Sequence, residues 1–270
     1  MHGRSMIRHR RLWRGGMVVV ALAMLCMVLA LARLVGVDPV GLFSAPSPTE
    51  VPAATTALVP RAWDEAAAPN YYEVVGPSRF GDLFVGEAEP DRGEVRYGAL
   101  DALGRATGVL ACVDAAFARA GSARERGDTS GIHPSGWGHN EEVEIELPTG
   151  RLYHGYFWNR SHLLAKSLGG EEIEQNLVCG TRMQNVGANL NGTEGGMAYA
   201  ETLVRNWLAD NPDGFVYYAA TPCYAGEELV CQNVIVDVLS SDGALDLEVV
   251  VYNAAKGYQI DYATGEFRAS

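Results

Sequence analysis

The sequence predicts an α+β fold in which helices flank a central, mainly antiparallel sheet. Segments with helical periodicity and segments with strand periodicity are mixed along the chain, and such a mixed order is typical of this class. Several strand-like segments are also bounded by turn residues. We expect one folded domain over residues 71–270, because about 200 residues is the size of one substantial domain.

Two segments have the apolar spacing of a helix. Within residues 106–120, Val109, Val113 and Phe117 recur every fourth position and form one stripe. Residues 197–208 carry a similar stripe on one helical face. The first of these helices is expected to pack on the sheet.

Strands are predicted from alternating or short apolar runs. Residues 143–147 alternate with period two, residues 148–150 supply turn chemistry, and residues 152–158 resume an aromatic-rich strand. This hairpin leads directly to His162. Further short strands are predicted at residues 177–178, 215–219, 233–239 and 247–252, with a turn at residues 240–243 between the last two.

The first 70 residues are expected to lie outside the folded domain. Residues 1–36 carry six arginines and no acid, and residues 17–32 are uncharged and mostly apolar, which is typical of an export signal. We predict that residues 1–37 are a cytoplasmic basic segment with a transmembrane signal-anchor, or else a cleaved signal peptide. Residues 38–70 are predicted to be a linker rich in proline and alanine. Both alternatives place residues 71–270 outside the cell, either tethered to the membrane or secreted.

Four cysteines follow the apolar run. Cys112 and Cys179 have apolar neighbours and are predicted to be buried free thiols. Cys223 and Cys231 are close enough in sequence to close a loop between two strands in an oxidising compartment. The sequence leaves open whether they form a disulfide.

One histidine and two spaced asparagines suggest hydrolysis of a phosphodiester. The tetrad at residues 159–162 ends in His162 and is followed by Asn176 and Asn185. A phosphodiester hydrolase must deprotonate a water, neutralise charge on the phosphate and stabilise the leaving oxygen. A neutral imidazole can take the proton, and a single asparagine carbonyl can anchor Mg²⁺, which prefers oxygen ligands and keeps several waters.

Short segments in the second half of the chain follow one another in a characteristic order. They are residues 156–164, 169–170, 176–178, 180–185 and 199–201, supported by residues 97–105, 134–137 and 261–266. Together they resemble the exported bacterial DNA/RNA non-specific endonucleases, of the DNA-uptake nuclease and streptodornase type. The resemblance covers about residues 97–267.

The resemblance implies a ββα-metal nuclease core and a role for each matching residue. His162 resembles the general base, Asn185 the direct Mg²⁺ ligand, and Asn176 the residue that positions the histidine or its water. Glu201 resembles the acid that orients metal-bound water. Simpler alternatives remain open, since Asn176 also suits a turn, Asn185 a helix cap, and Glu201 an ion pair with Arg205.

The resemblance also implies the cofactor and the substrate. Mg²⁺ is the expected metal, with Mn²⁺ as a substitute, and DNA is the expected substrate, with RNA as a second candidate. Arg160 resembles a phosphate-facing arginine, and Arg182 is a weaker candidate for the same task. Tyr156 and Trp158 are expected either to stack on bases or to belong to the core.

The tetrad departs from the family's Asp-Arg-Gly-His at two positions, which are Asn159 and Ser161 here. The first change removes a carboxylate that could act as an acceptor near the metal, and the second adds a side chain beside the active strand. We expect weaker catalysis rather than an inactive enzyme. The alternative function is a catalytically weak exported nucleic-acid-binding or competence-associated surface protein, which would retain DNA without nicking it.

The charge balance argues against tight non-catalytic binding of a polyanion. Beyond residue 36 the chain has 15 Lys and Arg against 33 Asp and Glu, and an acidic surface repels nucleic acid at long range. A bound divalent cation and a few local arginines can still dominate the field in a cleft. Weak, metal-dependent substrate binding is therefore expected.

Overall fold

The computed structural model describes residues 59–84, 88–188 and 194–270. The predicted signal or anchor at residues 1–37 lies outside the described residues, and so does most of the predicted linker. Among the helices that are described, none combines the length and the hydropathy needed to cross a bilayer.

The described residues form a set of antiparallel β-strands. The strands are β1 (Tyr72–Gly76), β2 (Val95–Tyr97), β3 (Val109–Asp114), β4 (Glu142–Glu146), β5 (Leu152–Tyr156), β6 (Trp158–His162), β7 (Leu177–Thr181), β8 (Phe215–Cys223), β9 (Asn233–Ser240), β10 (Asp246–Tyr252), β11 (Tyr258–Asp261) and β12 (Glu266–Ala269). A six-stranded sheet has the order β1-β10-β9-β8-β3-β2, and three two-stranded sheets pair β4 with β5, β6 with β7 and β11 with β12.

The described helices are short apart from one. They are α1 (Phe80–Leu83), α2 (Ala115–Ala123), α3 (Arg182–Val186) and α4 (Met197–Asp210). The apolar side of α4 contributes Met197, Ala200, Val204 and Leu208 to the main core, together with residues of the central sheet and the segment after β6. The predicted α+β class with a mainly antiparallel sheet is therefore confirmed.

The helix predicted over residues 106–120 is wrong in its first half. Residues 109–114 form β3, and α2 begins at Ala115, where the Asp114 side chain accepts a hydrogen bond from the backbone N–H of Phe117 at 2.8 Å. Nearly all of β3 is buried, because Val113 faces the main core while Leu110 packs in a separate cluster. A strand covered on both faces is apolar throughout, and such a run also suits a helix.

The other predicted elements are confirmed. The hairpin of β4 and β5, the strand β7, the helix α4 and the strands β8, β9 and β10 all form at the predicted positions. The turn between β9 and β10 contains Gly243 with a positive φ of 73°, as a tight turn requires. The strand that leads to His162 is a separate strand, β6, rather than the end of β5.

The folded domain starts earlier than the predicted boundary at residue 71. Trp63 stacks on Tyr71 with ring centroids 4.6 Å apart, and its indole N–H donates to the carbonyl of Ala68. Asn70 is buried and accepts a hydrogen bond from the backbone N–H of Ala188 at 2.9 Å. Within the predicted linker, Trp63, Ala68 and Asn70 are therefore packed on the domain.

The cysteines of the domain are free and buried. This confirms the prediction for Cys112 and Cys179. It also resolves the alternative at Cys223 and Cys231, which are unpaired in the structure. Burial raises the pKa of the Cys223 thiol to about 11 and that of Cys231 to about 12, so both thiols are protonated at neutral pH.

Candidate active site

Two antiparallel strands and a short helix build the candidate site. In the pairing of β6 with β7, His162 lies opposite Leu177 and Trp158 lies opposite Thr181. Helix α3 starts directly after β7, and the Thr181 hydroxyl caps it by accepting from the backbone N–H of Gln184 at 2.9 Å. This arrangement places Asn185, at the end of α3, next to β6.

An open cleft of about 650 Å³ runs along this unit. It brings together the four polar residues that the sequence singled out beside it, which are Asn159, Arg160, His162 and Asn185. The remaining lining residues are Arg126, Thr129, Trp137, Asn140, Tyr153, Gly155, Tyr156, Trp158 and Glu172. The cleft is therefore lined mainly by the strands β5 and β6 and by the loop after α2.

His162 is largely buried at the end of β6. Its Nε2 atom is buried and has no hydrogen-bond partner among the described residues. Burial lowers the pKa of His162 below its ordinary value of 6.5; the charge of Glu172 opposes this shift, and Arg126 and Arg124 add to it. The imidazole is therefore neutral at pH 7, which is the state that a general base requires.

Asn185 presents its side-chain carbonyl close to β6. The hydroxyl of Ser161 lies 3.4 Å from Asn185 Oδ1 and donates to it in a long hydrogen bond. Ser161 is fully buried. The residue that replaces the usual glycine of the tetrad therefore touches the predicted metal ligand.

The donor set of the cleft fits a hydrated Mg²⁺. Among the described residues, no cluster of three or more His, Cys, Asp or Glu side chains is placed to hold a metal. Mg²⁺ keeps several of its waters and needs few protein oxygens. Asn185 Oδ1, at the edge of an open cleft, satisfies that requirement.

Asn176 lies beneath the site rather than in it. Its side chain is fully buried, and Nδ2 donates to the carbonyls of Leu164 and Glu171 at 3.0 and 2.8 Å. Its Oδ1 accepts from the backbone N–H of Leu164 at 2.9 Å. Asn176 thus fixes the segment that follows His162. Its role in positioning the histidine stays a prediction, and the hydrogen bonds to the backbone of Leu164 are its physical basis.

The two arginines differ in their relation to the cleft. Arg160 lines it, donates from Nε to the carbonyl of Ile132 at 2.6 Å, and lies over the Trp137 ring at 4.1 Å. Arg182 stands over the ring of Tyr153 at 5.4 Å, and its Nη1 is buried without a hydrogen-bond partner in the described part of the chain. Arg182 therefore contacts a lining residue without lining the cleft itself.

Glu201 lies on α4 and is not among the residues that line the cleft. Its side chain is 12% exposed, and its carboxylate is 4.0 Å from Arg205, one helical turn further on. Burial raises the pKa of Glu201 to about 7, against the effect of Arg205. The geometry favours the ion-pair alternative, and the predicted role in orienting metal-bound water remains a prediction.

Both aromatic residues beside the tetrad line the cleft, but they differ in exposure. Trp158 is 2% exposed and donates from its indole nitrogen to the carbonyl of Gly265 at 3.0 Å, so it is part of the core. Tyr156 is 56% exposed and lines the cleft. Of the two, Tyr156 is the ring that a nucleobase can reach.

Three charged or aromatic lining residues were not predicted from the sequence, which are Glu172, Arg126 and Tyr153. Glu172 and Arg126 lie on separate loops, and their side chains meet at 3.9 Å between Glu172 Oε1 and Arg126 Nε. No spacing or motif marks a pair of loop residues that long-range folding brings together. In the alternating pattern of β5, Tyr153 has the position of a residue that faces the core. In the structure it lines the cleft.

The comparisons with known proteins agree with this geometry. Residues 113–265 match the DNA/RNA non-specific endonuclease family. A deoxyribonuclease from Streptococcus dysgalactiae subsp. equisimilis is 32% identical over 240 residues, which cover 73% of this chain and 72% of that protein.

Solved structures agree as well. The structure of Sda1 nuclease with a bound zinc ion has a TM-score of 0.71 at 31% identity, covering 77% of this chain and all of that one. NucA from Streptococcus agalactiae with a magnesium ion bound has a TM-score of 0.53 at 27% identity, covering 66% of this chain and 78% of that one.

The antiparallel sheet and the strand–strand–helix unit, with a histidine and an asparagine on one cleft, define a nuclease with a ββα core. More than half of the chain matches the family, and the relatives cover most of the folded domain. The chain belongs to the DNA/RNA non-specific endonuclease family, and it is a metal-dependent nuclease.

Proposed function

We propose that this endonuclease hydrolyses DNA outside the cell without sequence preference, with His162 as general base and Mg²⁺ anchored through Asn185. RNA is a second substrate of the same chemistry, and Mn²⁺ is a substitute metal. The observation that carries the proposal is the meeting of His162 and Asn185 on one open cleft. The magnesium and zinc ions bound by NucA and Sda1 support a divalent metal in this family.

His162 and Arg160 perform the steps that the chain itself supplies. The lowered pKa of His162 leaves the imidazole neutral, so it takes a proton from the attacking water. Arg160 lines the same cleft and holds a phosphate oxygen through its guanidinium. Asn185 would hold the cation, which when bound would supply positive charge for the phosphate and the leaving oxygen.

The remaining site predictions have separate parts in this scheme. Asn176 holds the backbone beside His162, and Arg182 supports the cleft wall through Tyr153. A role for Glu201 in orienting water on the metal requires that its carboxylate turn away from Arg205 toward the cleft. Glu201→Gln then lowers activity, whereas a plain ion-pair role leaves activity unchanged.

Plasmid degradation by the purified protein tests the proposal. We expect cleavage in Mg²⁺, loss of cleavage in EDTA, and a drop of at least about 100-fold in kcat for His162→Ala and for Asn185→Ala. The matched controls are His154→Ala, at an exposed histidine paired with Glu144, and Asn206→Ala, at an exposed position of α4. Unchanged cleavage by His162→Ala contradicts the mechanism, and DNA retention without nicking by the wild type contradicts the activity.

We also propose that residues 1–37 hold the enzyme at the outer face of the cell membrane, or direct its secretion if they are cleaved. The arginine cluster before the apolar run supports a cytoplasmic N-terminus. N-terminal sequencing of the exported protein distinguishes the two forms. Recovery of active protein in the cytoplasm alone contradicts both.

A further inference from the structure

Glu172 places a carboxylate oxygen with unused acceptor capacity beside the cleft. Its side chain is 11% exposed, and its Oε2 accepts from the backbone N–H of Gly127. Its Oε1 is buried and has no hydrogen-bond partner among the described residues. The contact of this oxygen with Arg126 is long, at 3.9 Å, and the Arg126 side chain is exposed.

His162 offers the complementary donor. Its Nε2 atom is also buried without a hydrogen-bond partner in the described part of the chain. A buried polar atom left unpaired is destabilising, so buried polar groups normally pair. Two such atoms therefore occur on residues that line the same cleft.

Asn176 ties the two residues into one rigid frame. Its side chain binds the backbone of Leu164, two residues after His162, and the carbonyl of Glu171, immediately before Glu172. The loop after α2 anchors Glu172 from another direction through Gly127. The backbones of His162 and Glu172 are thus held together by a buried side chain, which leaves the carboxylate and the imidazole to adjust by rotation.

We propose that Glu172 is a positioning residue for His162, with Glu172 Oε1 accepting the hydrogen of His162 Nε2. This hydrogen bond fixes the tautomer that leaves the Nδ1 lone pair free for the water that is to be deprotonated. The inference rests on the proposed role of His162 as general base, and it adds the residue that orients that base.

The pairing has a chemical consequence at the site. When His162 takes a proton from water, the imidazole becomes positively charged in a largely buried position, and an adjacent carboxylate stabilises that charge. The charged groups that act on His162 are Glu172, which raises its pKa, and Arg126 and Arg124, which lower it. Glu172 also provides a carboxylate in the cleft, where the tetrad has Asn159 in place of the usual aspartate.

Variants at Glu172 separate the loss of charge from the loss of the whole side chain. Glu172→Gln keeps the size but removes the negative charge, and its single oxygen can accept from the Gly127 N–H or from His162 Nε2–H but not from both. Glu172→Ala removes both acceptor oxygens and the charge. Glu174→Gln and Glu174→Ala are the matched controls, because Glu174 is an exposed carboxylate two residues away that does not line the cleft.

The first readout is the state of His162 in the metal-free protein, measured by ¹⁵N NMR with His162→Ala to assign the signal. We expect the Nε2–H tautomer in the wild type, a lower His162 pKa in both Glu172 variants, and a mixture of tautomers in Glu172→Ala. The Glu174 controls should match the wild type. Thermal melting followed by circular dichroism shows whether Glu172→Ala folds; if it does not, Glu172→Gln carries the test.

The second readout is kinetics in Mg²⁺. We expect Glu172→Ala to lower kcat by about 10- to 100-fold with KM within about twofold of the wild type, and Glu172→Gln to fall between the two. A His162 tautomer and pKa that do not respond to Glu172 overturn this inference while leaving the proposed function standing. Full activity of His162→Ala with an intact NMR response overturns the role of the base but not the pairing.

Discussion

The two altered residues of the tetrad occupy different environments. Ser161 is fully buried and its hydroxyl reaches Asn185 Oδ1, whereas Asn159 lines the cleft. A side chain buried beside a predicted metal ligand affects how that ligand is oriented. A neutral amide in place of a carboxylate at the cleft affects the charge that a cation experiences.

Restoring the carboxylate at position 159 should strengthen metal use. We expect Asn159→Asp to lower the Mg²⁺ concentration for half-maximal activity by about tenfold, because outer contacts of metal sites typically change affinity by 10- to 100-fold. The measurement is a Mg²⁺ titration of plasmid cleavage. Thr129→Asp is the control, because it adds the same charge at another position that lines the cleft. An equal effect at both positions would show that the added charge acts without regard to its place.

The pH dependence of cleavage should follow His162. Burial lowers its pKa below 6.5, and the neutral form is the active base. Activity is therefore retained at and above pH 7 and falls as the pH drops through the lowered pKa, with a midpoint below 6.5. The measurement is kcat/KM between pH 4.5 and 8.5. Glu201 has a pKa raised to about 7, so Glu201→Gln is the control, and a midpoint above 6.5 in both proteins contradicts the assignment to His162.

Among the loops and helices, the turn after β6 depends on a glycine. A Cβ atom on Gly170 would collide with the backbone carbonyl of Leu164, and the carbonyl of Gly170 also accepts from the Arg124 guanidinium. We expect Gly170→Ala to destabilise the protein by about 1–3 kcal/mol, the usual cost of forced overpacking. Urea unfolding followed by circular dichroism measures the change.

Gly81 provides the matched control for that substitution. It lies in α1, and a Cβ there has no atom within 4 Å. Gly81→Ala should be neutral or stabilising by about 0.4–1 kcal/mol, because it reduces the freedom of the unfolded chain without strain. A similar loss of stability in both variants would mean that the crowding at Leu164 is not the cause.

Elements with one dominant periodicity could be predicted from the sequence. The strand β3, which was predicted as part of a helix, lacks such a periodicity. The strand β4 alternates exposed and buried residues, and α4 buries one face, so period and structure agree. In β3, Val109 and Val113 face one core while Leu110 joins another. The strand is therefore apolar at nearly every position and shows no period of two. The fourfold spacing of Val109, Val113 and Phe117 arises by chance, because the first two residues lie in a strand and the third lies in the helix that follows.

The site could be predicted where a motif fixes both residue and spacing. His162 and Asn185 are delivered to one cleft by β6 and α3, as the motif implies. Glu172 was not predicted, because its position depends on the burial of Asn176 and on the loop that contains Gly127. The packed residues before Tyr71 were missed for a related reason: a composition rich in proline and alanine predicts an extended tether, and the contacts of Trp63 lie beyond local sequence.

At the scale of the whole molecule, the enzyme carries a net negative charge, and so does its proposed substrate, DNA. The chain beyond residue 36 has 15 basic and 33 acidic residues, so the long-range field opposes the approach of DNA. The cleft itself combines Arg160 and Arg126 with the proposed cation site. Attraction is thus confined to short range, where fewer phosphates are contacted than on a basic surface.

This distribution of charge predicts an unusual response to salt. A protein that binds DNA through six or more phosphate contacts loses about 10³-fold or more in affinity between 50 and 200 mM salt. Here added salt also screens the long-range repulsion, since the Debye length falls as the ionic strength rises and is about 10 Å at 0.1 M. We expect kcat/KM for DNA at 100 mM NaCl to be at least as high as at 10 mM, at a fixed and saturating Mg²⁺ concentration. Initial rates on a short duplex measure it, and His154→Ala, which leaves the acidic residues in place, is the control. A tenfold or greater fall would show instead that the enzyme binds through an extended basic contact.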